Sequence, residues 1–251
     1  MKPAVNEITC RSVLTKSGIP GMKYCINPYV GCAHACRYCY ATFMKRFTGH
    51  MEPWGSFVDV KVNAPEILQR QLRRAEKGTV MVSSVTDAYQ PVEARYELTR
   101  KCLEILSFYN FPVSILTKSP LVLRDMDIIS KFEDAEVGLT ITTDDDRMRN
   151  IFEPYAPPVQ ARIDALKKLH QAGISTYVFI GPLLPMDTES LARKIGPYTD
   201  SVLIDSMNYV SKTAWLYKKH RLEKWLDRGF IDDIISRLRA GLLHKNISVI
   251  C

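Results

Sequence analysis

Short apolar stretches alternate with amphipathic stretches along most of the 251 residues of the chain. The apolar stretches are rich in Val and Ile and are bounded by turn-forming residues, a pattern that predicts strands. The amphipathic stretches carry apolar residues three and four positions apart, a pattern that predicts helices. The predicted strands are 22–27, 56–62, 79–84, 112–117, 135–142, 174–180 and 201–205, and the predicted helices are 37–47, 63–78, 92–108, 120–132, 158–172 and 187–195.

Some of these elements carry more detailed signals. Residues 56–62 alternate apolar and polar positions, so we expect a strand with one exposed face. The helix that follows has Asn63 as its expected N-cap, and Gly78 ends it. Ser119 is expected to cap the helix 120–132 in the same way.

The alternation of strands and helices predicts a parallel sheet that is covered by helices on both faces. It gives about six β/α units, which fit either an open doubly wound sheet or a barrel. The pattern alone does not choose between these two architectures. Residues 1–21 are predicted as an N-terminal arm, 22–210 as the core, and 211–251 as a C-terminal helical extension packed on the core.

The composition indicates the class of partner and the compartment. A net charge of +7 and a pI of about 9.0 fit a phosphate-bearing partner, although basic enzymes that bind no nucleic acid are also common. Seven cysteines without the spacing of a disulfide framework fit a reducing compartment. No apolar run approaches the roughly 20 residues of a membrane span, and the first residues do not resemble a signal peptide. We therefore expect a cytoplasmic protein that has no membrane partner.

The segment 27–40 contains three cysteines, Cys32, Cys36 and Cys39, with the spacing C-x3-C-x2-C. A short loop with Gly31 and small alanines can point three thiolates at one metal centre. Three thiolates on a four-iron cluster leave one iron without a protein ligand. That open iron is a place where a small chelating molecule can bind, which indicates chemistry rather than a scaffold.

A zinc site is the alternative interpretation of the same cysteines. Structural zinc needs a fourth ligand, which normally comes from a second C-x2-C or H-x3-5-H pair. No such pair follows, and the nearby Cys25, His34 and His50 do not lie at a familiar zinc spacing. A non-catalytic zinc-binding nucleic-acid module therefore stays open as a function of a different class.

Polar residues and one glycine follow several predicted strands, at the ends where parallel sheets and barrels hold their sites. A lysine there can neutralise a bound carboxylate, threonine hydroxyls can bind a ribose, and a glycine lets a flat ring approach the backbone. Each of these residues also fits a structural role, such as a helix cap or an ordinary strand position. They are Ser84, Thr86, Asp87, Lys118, Thr140, Thr142 and Gly181.

The chain resembles the radical S-adenosylmethionine (SAM) enzymes, whose signature C-x3-C-x-φ-C places an aromatic residue, here Tyr38, before the third cysteine. Two further motifs, Ser-Ser-x-Thr-Asp-x-Tyr-Gln-Pro-x-Glu at 83–93 and Thr-Lys-Ser at 117–119, resemble the SplB-like branch, which is related to spore photoproduct lyase. The resemblance covers residues 22–205. It implies an α/β fold, a partial (β/α)6 barrel of the radical SAM type with C-terminal helices.

The resemblance also implies two cofactors, a [4Fe-4S] cluster on Cys32, Cys36 and Cys39, and S-adenosylmethionine. An electron from a flavodoxin- or ferredoxin-type reductant would cleave S-adenosylmethionine to a 5′-deoxyadenosyl radical. This radical abstracts hydrogen from a substrate, for which a nucleic acid, a peptide and a small metabolite are the candidates. The residues that the resemblance assigns to S-adenosylmethionine are Tyr38, Thr86, Asp87, Lys118, Thr140, Thr142 and Gly181.

Tyr40 and Ser84 are the catalytic candidates. In spore photoproduct lyase, a cysteine at the position of Ser84 returns a hydrogen atom to the product, and a serine O–H bond is too strong for that step. Repair of thymine dimers in DNA is therefore an alternative function that needs another donor. Tyr38 and Tyr40 match tyrosines of the lyase. These tyrosines either support radical transfer or only pack beside the cluster. The other candidate donors are Cys10, Cys102 and Cys251.

Glu153 and Arg162 follow the strand 135–142 in the order that the family shows. They fit either a contact with the cofactor or a structural ion pair. For Arg162 we expect the ion pair.

Overall fold

The computed structural model describes residues 3–250, which divide into two compact units. The first unit comprises the chain up to Ala35 together with Tyr40–Val137. The second comprises Cys36–Cys39 and the chain from Gly138 onward. The segment with the three cysteines therefore contributes residues to both units.

The strands of the first unit are β1 (Ala4–Ile8), β2 (Leu14–Lys16), β3 (Tyr24–Ile26), β4 (Tyr29–Val30), β5 (Phe57–Lys61), β6 (Val80–Val82) and β7 (Val113–Thr117). One sheet has the order β1-β5-β4, in which β1 is parallel and β4 antiparallel to β5. In the other, β2 is antiparallel to β3, and β3, β6 and β7 pair in parallel. The parallel strands β3, β6 and β7 end at the same edge, which gathers the segments that follow them.

The helices of the first unit are α1 (Ala64–Leu72), α2 (Glu93–Tyr96), α3 (Leu98–Phe108) and α4 (Met126–Ile129), with 3-10 segments at Tyr40–Phe47 and Pro120–Asp125. Helix α1 buries Ile67, Leu68 and Leu72, which lie three and four positions apart. The Ser119 hydroxyl accepts a hydrogen bond from Leu121 N, so its predicted capping role is confirmed. A core cluster of Tyr29, Ala33, Val58, Val60 and Leu98 joins β4, β5 and α3.

Strand β8 (Ala135–Thr140) has residues in both units. In the second unit, β9 (Ser175–Ile180), β10 (Ser201–Asp205) and β11 (Asn246–Ile250) pair in parallel in that order. The remaining elements are α5 (Asp146–Phe152), α6 (Val159–Gln171), α7 (Thr188–Ile195), α8 (Val210–Lys219) and α9 (Arg228–Gly241), with 3-10 segments at Gly196–Tyr198 and Glu223–Leu226. None of the helices within residues 3–250 is long and apolar enough to cross a bilayer.

Four predicted helices are shorter or tighter in the structure. The helix predicted for 63–78 ends at Leu72, so Gly78 does not end it. The predicted helix 37–47 is a 3-10 segment that begins only after the last cysteine. The predicted helix 92–108 is interrupted at Glu97, whose φ of 53° lies in the left-handed region and ends α2. The predicted helix 120–132 divides into a 3-10 segment and the short helix α4.

The termini of the described chain contain strands that the pattern did not predict. The predicted arm 1–21 contains β1 and β2, and the predicted helical extension 211–251 ends in β11. The predicted exposed face of 56–62 is wrong, because β1 and β4 flank β5 and its first four residues are buried. The Asn63 side chain does not cap α1; it accepts from Cys10 N at 2.8 Å and donates to Cys10 O at 3.0 Å.

Candidate active site

The three cysteines lie in a loop after β4, and backbone hydrogen bonds close turns within this loop. In the first unit, Ala35 N donates to Cys32 O at 3.2 Å. In the second unit, Cys39 N donates to Cys36 O at 3.1 Å. The chain therefore turns directly after each of the first two cysteines, as the spacing of a cluster loop requires.

The start of the loop is fixed by a buried glutamine and a threonine from the segment after β6. Gln90 Nε2 donates to Gly31 O at 3.2 Å and to Thr86 Oγ1 at 2.9 Å, and its Oε1 accepts from Ala33 N at 2.9 Å. Thr86 Oγ1 donates to Gly31 O at 2.6 Å. Gly31 has a φ of 83°, and a Cβ there would lie 2.4 Å from Phe57 O, so the loop needs a glycine at this position.

Asp87 is the second anchor of the loop within the first unit. Its carboxylate accepts hydrogen bonds from Thr117 Oγ1 at 2.6 Å, Tyr89 N at 2.9 Å and Lys118 N at 2.9 Å. His34 Nε2 lies 3.3 Å from Asp87 Oδ2, but the two groups are not aligned for a hydrogen bond. Burial alone would raise the pKa of Asp87, but the charge of His34 and the hydrogen bonds hold it well below its usual range. The ionised Asp87 thus joins the cysteine loop to the end of β7.

The two catalytic candidates of the first unit contact each other. The Tyr40 hydroxyl donates a hydrogen bond to the carbonyl oxygen of Ser84. Asn27 Oδ1 accepts from Ser84 N and Val85 N, both at 3.1 Å, and Asn27 Nδ2 lies 3.5 Å from Ser84 Oγ. Asn27 therefore sets the position of Ser84, a role that the sequence motifs did not indicate although Asn27 follows a strand as the other candidates do.

Three of the residues assigned to the cofactor share a buried network in the second unit. Tyr38 donates its hydroxyl hydrogen to Glu153 Oε1, which also accepts from Thr142 Oγ1 at 3.1 Å. Arg162 donates to Glu153 Oε2 at 2.6 Å and to the carbonyl oxygen of Thr140 at 3.1 Å. The predicted ion pair of Arg162 is thus confirmed. Burial and the Glu153 charge raise the pKa of Tyr38 well above its usual value, so this phenol stays protonated.

The remaining predicted positions have other neighbours. A Cβ on Gly181 would lie 2.1 Å from Phe179 Cζ, so the space beside this glycine holds a protein ring. Lys118 follows β7 with its backbone N–H on Asp87, and its side chain is half-buried. Lys212 of α8 donates to Cys39 O at 2.7 Å, a contact that no local pattern in the sequence indicates.

The two histidines considered for zinc face carboxylates in the first unit. His50 Nε2 lies 2.9 Å from Asp59 Oδ2, and His50 Nδ1 lies 3.0 Å from Glu52 Oε2. His34 lies beside Asp87. Both ring nitrogens of His50 thus face carboxylates, which does not favour His50 as the fourth ligand beside three thiolates.

Comparison with known proteins decides the family. The pattern of the radical SAM superfamily matches residues 26–195, which is more than half of the chain. The chain belongs to the radical SAM superfamily. Over 252 residues it is 37% identical to the uncharacterized protein MJ0683 of Methanocaldococcus jannaschii, covering 95% of this chain and 94% of that protein.

Solved structures of radical SAM enzymes share the fold. Spore photoproduct lyase complexed with dinucleoside spore photoproduct superposes with a TM-score of 0.70 at 14% identity, covering 98% of this chain and 82% of the lyase. SuiB of Streptococcus suis bound to S-adenosylmethionine gives a TM-score of 0.57 at 15% identity, covering 100% of this chain and 51% of SuiB. The predicted α/β fold of the radical SAM type is therefore confirmed.

The cofactors follow from the family. Radical SAM enzymes hold a [4Fe-4S] cluster and S-adenosylmethionine, and they need an external reductant. The donor chemistry of the loop fits this cluster, because it offers three thiols within eight residues and its backbone is fixed by Gln90 and Thr86.

Proposed function

We propose that the chain is a radical SAM enzyme that cleaves S-adenosylmethionine reductively and abstracts hydrogen from a substrate. The observation that carries the proposal is the cysteine loop, whose backbone at Gly31 and Ala33 is held by Gln90 in a member of this superfamily. When bound, the cluster and S-adenosylmethionine supply a 5′-deoxyadenosyl radical. The protein binds and orients the cofactors and the substrate, and it keeps water away from the radical.

Cys32, Cys36 and Cys39 are the proposed cluster ligands. Within residues 3–250, no three metal-ligating side chains are already gathered around one point. We therefore expect the three thiols to converge when the cluster is assembled. At Cys32 the hydrogen bonds of Thr86 and Gln90 would limit this movement to the side chain, because they fix the backbone at Gly31 and Ala33.

The proposed roles toward S-adenosylmethionine differ among the predicted residues. Lys118 offers a cationic side chain at a strand end, where it can neutralise the methionine carboxylate. Thr86 donates a hydrogen bond to the cysteine loop, and Asp87 accepts one from Thr117 at the end of β7. We therefore assign both residues to positioning the cysteine loop. Tyr38 and Thr142 both donate to Glu153, and we assign them to holding that carboxylate in place.

The substrate class includes nucleic acids, and repair of thymine dimers stays an alternative within it. That alternative needs a hydrogen donor in place of Ser84. Cys102 is fully buried in α3, which makes it a core residue rather than a donor to a bound substrate. Cys10 is half-buried with its pKa raised by burial, and Cys251 lies outside the described residues.

The decisive experiment is an anaerobic assay of the reconstituted protein with dithionite and S-adenosylmethionine, following 5′-deoxyadenosine by mass spectrometry. We expect the wild type to form 5′-deoxyadenosine. Single Cys32→Ala, Cys36→Ala and Cys39→Ala variants should lose this activity and the brown colour of the cluster, whereas a Cys10→Ser control keeps both. Formation of 5′-deoxyadenosine by a colourless protein or by any of the three alanine variants would refute the proposal.

A second arm adds ultraviolet-irradiated DNA to the same assay and measures thymine products. Because Ser84 occupies the donor position, we expect 5′-deoxyadenosine without conversion of the photoproduct to thymine. Conversion of the photoproduct to thymine would establish the lyase alternative instead. Stoichiometric zinc and no iron in a folded protein would support the non-catalytic module.

A further inference from the structure

The first unit contains a cavity of about 430 Å³ next to the two catalytic candidates. Its volume falls in the range of about 300–1,000 Å³ that small-molecule sites occupy. Tyr40 and Ser84 are part of its wall, and none of the three loop cysteines is among the described residues that line it. The cavity thus has room for a molecule of the size of a single nucleotide beside the residues expected to face a substrate.

The wall of the cavity combines apolar side chains, such as Val13 and Ile19, with two lysines. The lysines are Lys16 and Lys61, and no aspartate or glutamate is among the described residues that line it. Three hydroxyl groups from the segment that holds β2 also line it: Ser12 and Thr15 donate theirs to backbone carbonyls, whereas Ser17 accepts from Ile19 N and keeps its hydroxyl hydrogen for a ligand. A cavity lined in this way attracts an anion and disfavours a cationic molecule.

Lys61 lacks the acidic partner that a cation away from solvent normally has. Its ammonium group donates to Asn27 O at 2.9 Å, and no carboxylate of residues 3–250 lies within 4.0 Å of it. An ammonium group carries three donors, so two remain for a ligand. Burial lowers the pKa of Lys61, the direction expected for a charge that the protein does not neutralise. An anionic ligand would supply the missing charge.

Asn27 connects this charge to the catalytic candidates. Its carbonyl oxygen accepts from Lys61, while its side-chain oxygen accepts from Ser84 N and Val85 N. A ligand anion on Lys61 would therefore be held a short, fixed distance from Ser84 and from Tyr40, which bonds to Ser84 O.

We propose that this cavity is the substrate site and that it takes a phosphate-bearing molecule of nucleotide size, whose phosphate binds Lys61. The inference rests on the proposed function and names the substrate class of the same site. Phosphate is favoured over carboxylate because the Ser17 hydroxyl joins the two lysines around the cavity, and a phosphate accepts from more donors at once. The basic charge of the whole chain acts in the same direction.

Calorimetric titration of the reconstituted protein tests the proposal without relying on turnover. The probes are thymidine 5′-monophosphate, inorganic phosphate, uncharged thymidine and acetate. A pyrimidine nucleotide is used because it lacks the adenine of S-adenosylmethionine. We expect the monophosphate to bind, phosphate to compete with it, and thymidine and acetate to bind at least about ten-fold more weakly.

Variants of one residue locate the binding. Lys61→Gln should weaken binding of the monophosphate about ten-fold or more, Lys61→Arg should restore most of it, and the exposed-lysine control Lys168→Gln should leave it unchanged. Equal affinity in Lys61→Gln and the wild type, or preference for acetate, would overturn the proposal.

The phosphate site and the radical SAM proposal can be refuted independently of each other. Formation of 5′-deoxyadenosine by a protein that binds no phosphate probe would overturn the phosphate site and leave the radical SAM proposal intact. Binding of the monophosphate through Lys61 by a protein that has a full cluster but forms no 5′-deoxyadenosine would overturn the radical SAM proposal and leave the phosphate site intact.

Discussion

Arg162 in the second unit and Lys61 in the first are two cations withdrawn from solvent in different settings. Arg162 is fully buried, donates to Glu153 at 2.6 Å and bonds carbonyl oxygens of Thr140 and Pro157. Lys61 is half-buried, and its one hydrogen bond goes to Asn27 O. The first charge is neutralised inside the protein and serves the fold. The second is left for a ligand, and the contrast separates a structural cation from a binding one.

The largest effect is expected from breaking the pair of Arg162. Glu153→Gln leaves a fully buried guanidinium without a counter-charge and should lower the free energy of unfolding by about 3–5 kcal/mol. Denaturant unfolding measures this loss. As a control, Arg147→Gln removes an exposed cation, 3.4 Å from Asp145, and should change stability by less than about 0.5 kcal/mol. Similar losses in both variants would show that burial of the pair does not matter.

Arg124 is a cation whose exposure lies between those of Arg162 and Arg147. It donates to Glu93 at 2.6 Å and to Asp125 at 2.7 Å, and both carboxylates are fully buried. Arg124→Ala should cost about 2 kcal/mol of unfolding free energy, less than Glu153→Gln, because Arg100 still pairs with Asp125 and the Glu93 carboxylate still accepts from Tyr29 and Thr99 N. Denaturant midpoints of the two variants give the order, and a larger loss for Arg124→Ala would reverse the ranking by burial.

His50 adds a cation whose charge depends on pH. Burial lowers its pKa, but hydrogen bonds to Asp59 and Glu52 outweigh burial and raise the pKa above the usual 6.5. Because the folded pKa is the higher one, the stabilisation is complete below about pH 6.5 and is lost as the pH rises through the folded value. Unfolding of wild type and His50→Gln should therefore differ by about 1 kcal/mol near pH 6 and by less near pH 8. A difference that does not change with pH would assign the effect to packing on Phe57.

The sequence predicts the parts of the site that are local in the chain. The cysteine loop, the ends of β6 and β7, and the pair of Glu153 with Arg162 involve short segments or a spacing of nine residues. The bonds of Asn27 to Ser84 and of Gln90 to Ala33 were not predicted, because each joins residues 57 positions apart that become neighbours only when the sheets form. Their positions after strands were visible, but the hydrogen bonds were not.

The partial burial of the Lys61 side chain was harder to predict than the strand that carries it. The alternation of 56–62 predicts a strand with one exposed face, and exposed lysines at such positions are ordinary. The strand is instead central in its sheet, between β1 from the predicted arm and β4 before the cysteines, and its first four residues are buried. The Lys61 ammonium group bonds to Asn27 O, 34 residues away, and no pattern within 56–62 records that contact.

The smallest effect on stability is expected at Lys61 itself. Lys61→Met removes a cation that no carboxylate neutralises, so the free energy of unfolding should change by less than about 1 kcal/mol near neutral pH. Burial lowers the folded pKa of Lys61, so the wild type should gain stability as the pH rises through the folded and then the unfolded value, and the variant should not. Denaturant unfolding at neutral and alkaline pH measures both quantities. A loss as large as that of Glu153→Gln would make Lys61 a structural cation like Arg162, whereas a stable variant that no longer binds the monophosphate would assign its charge to the ligand.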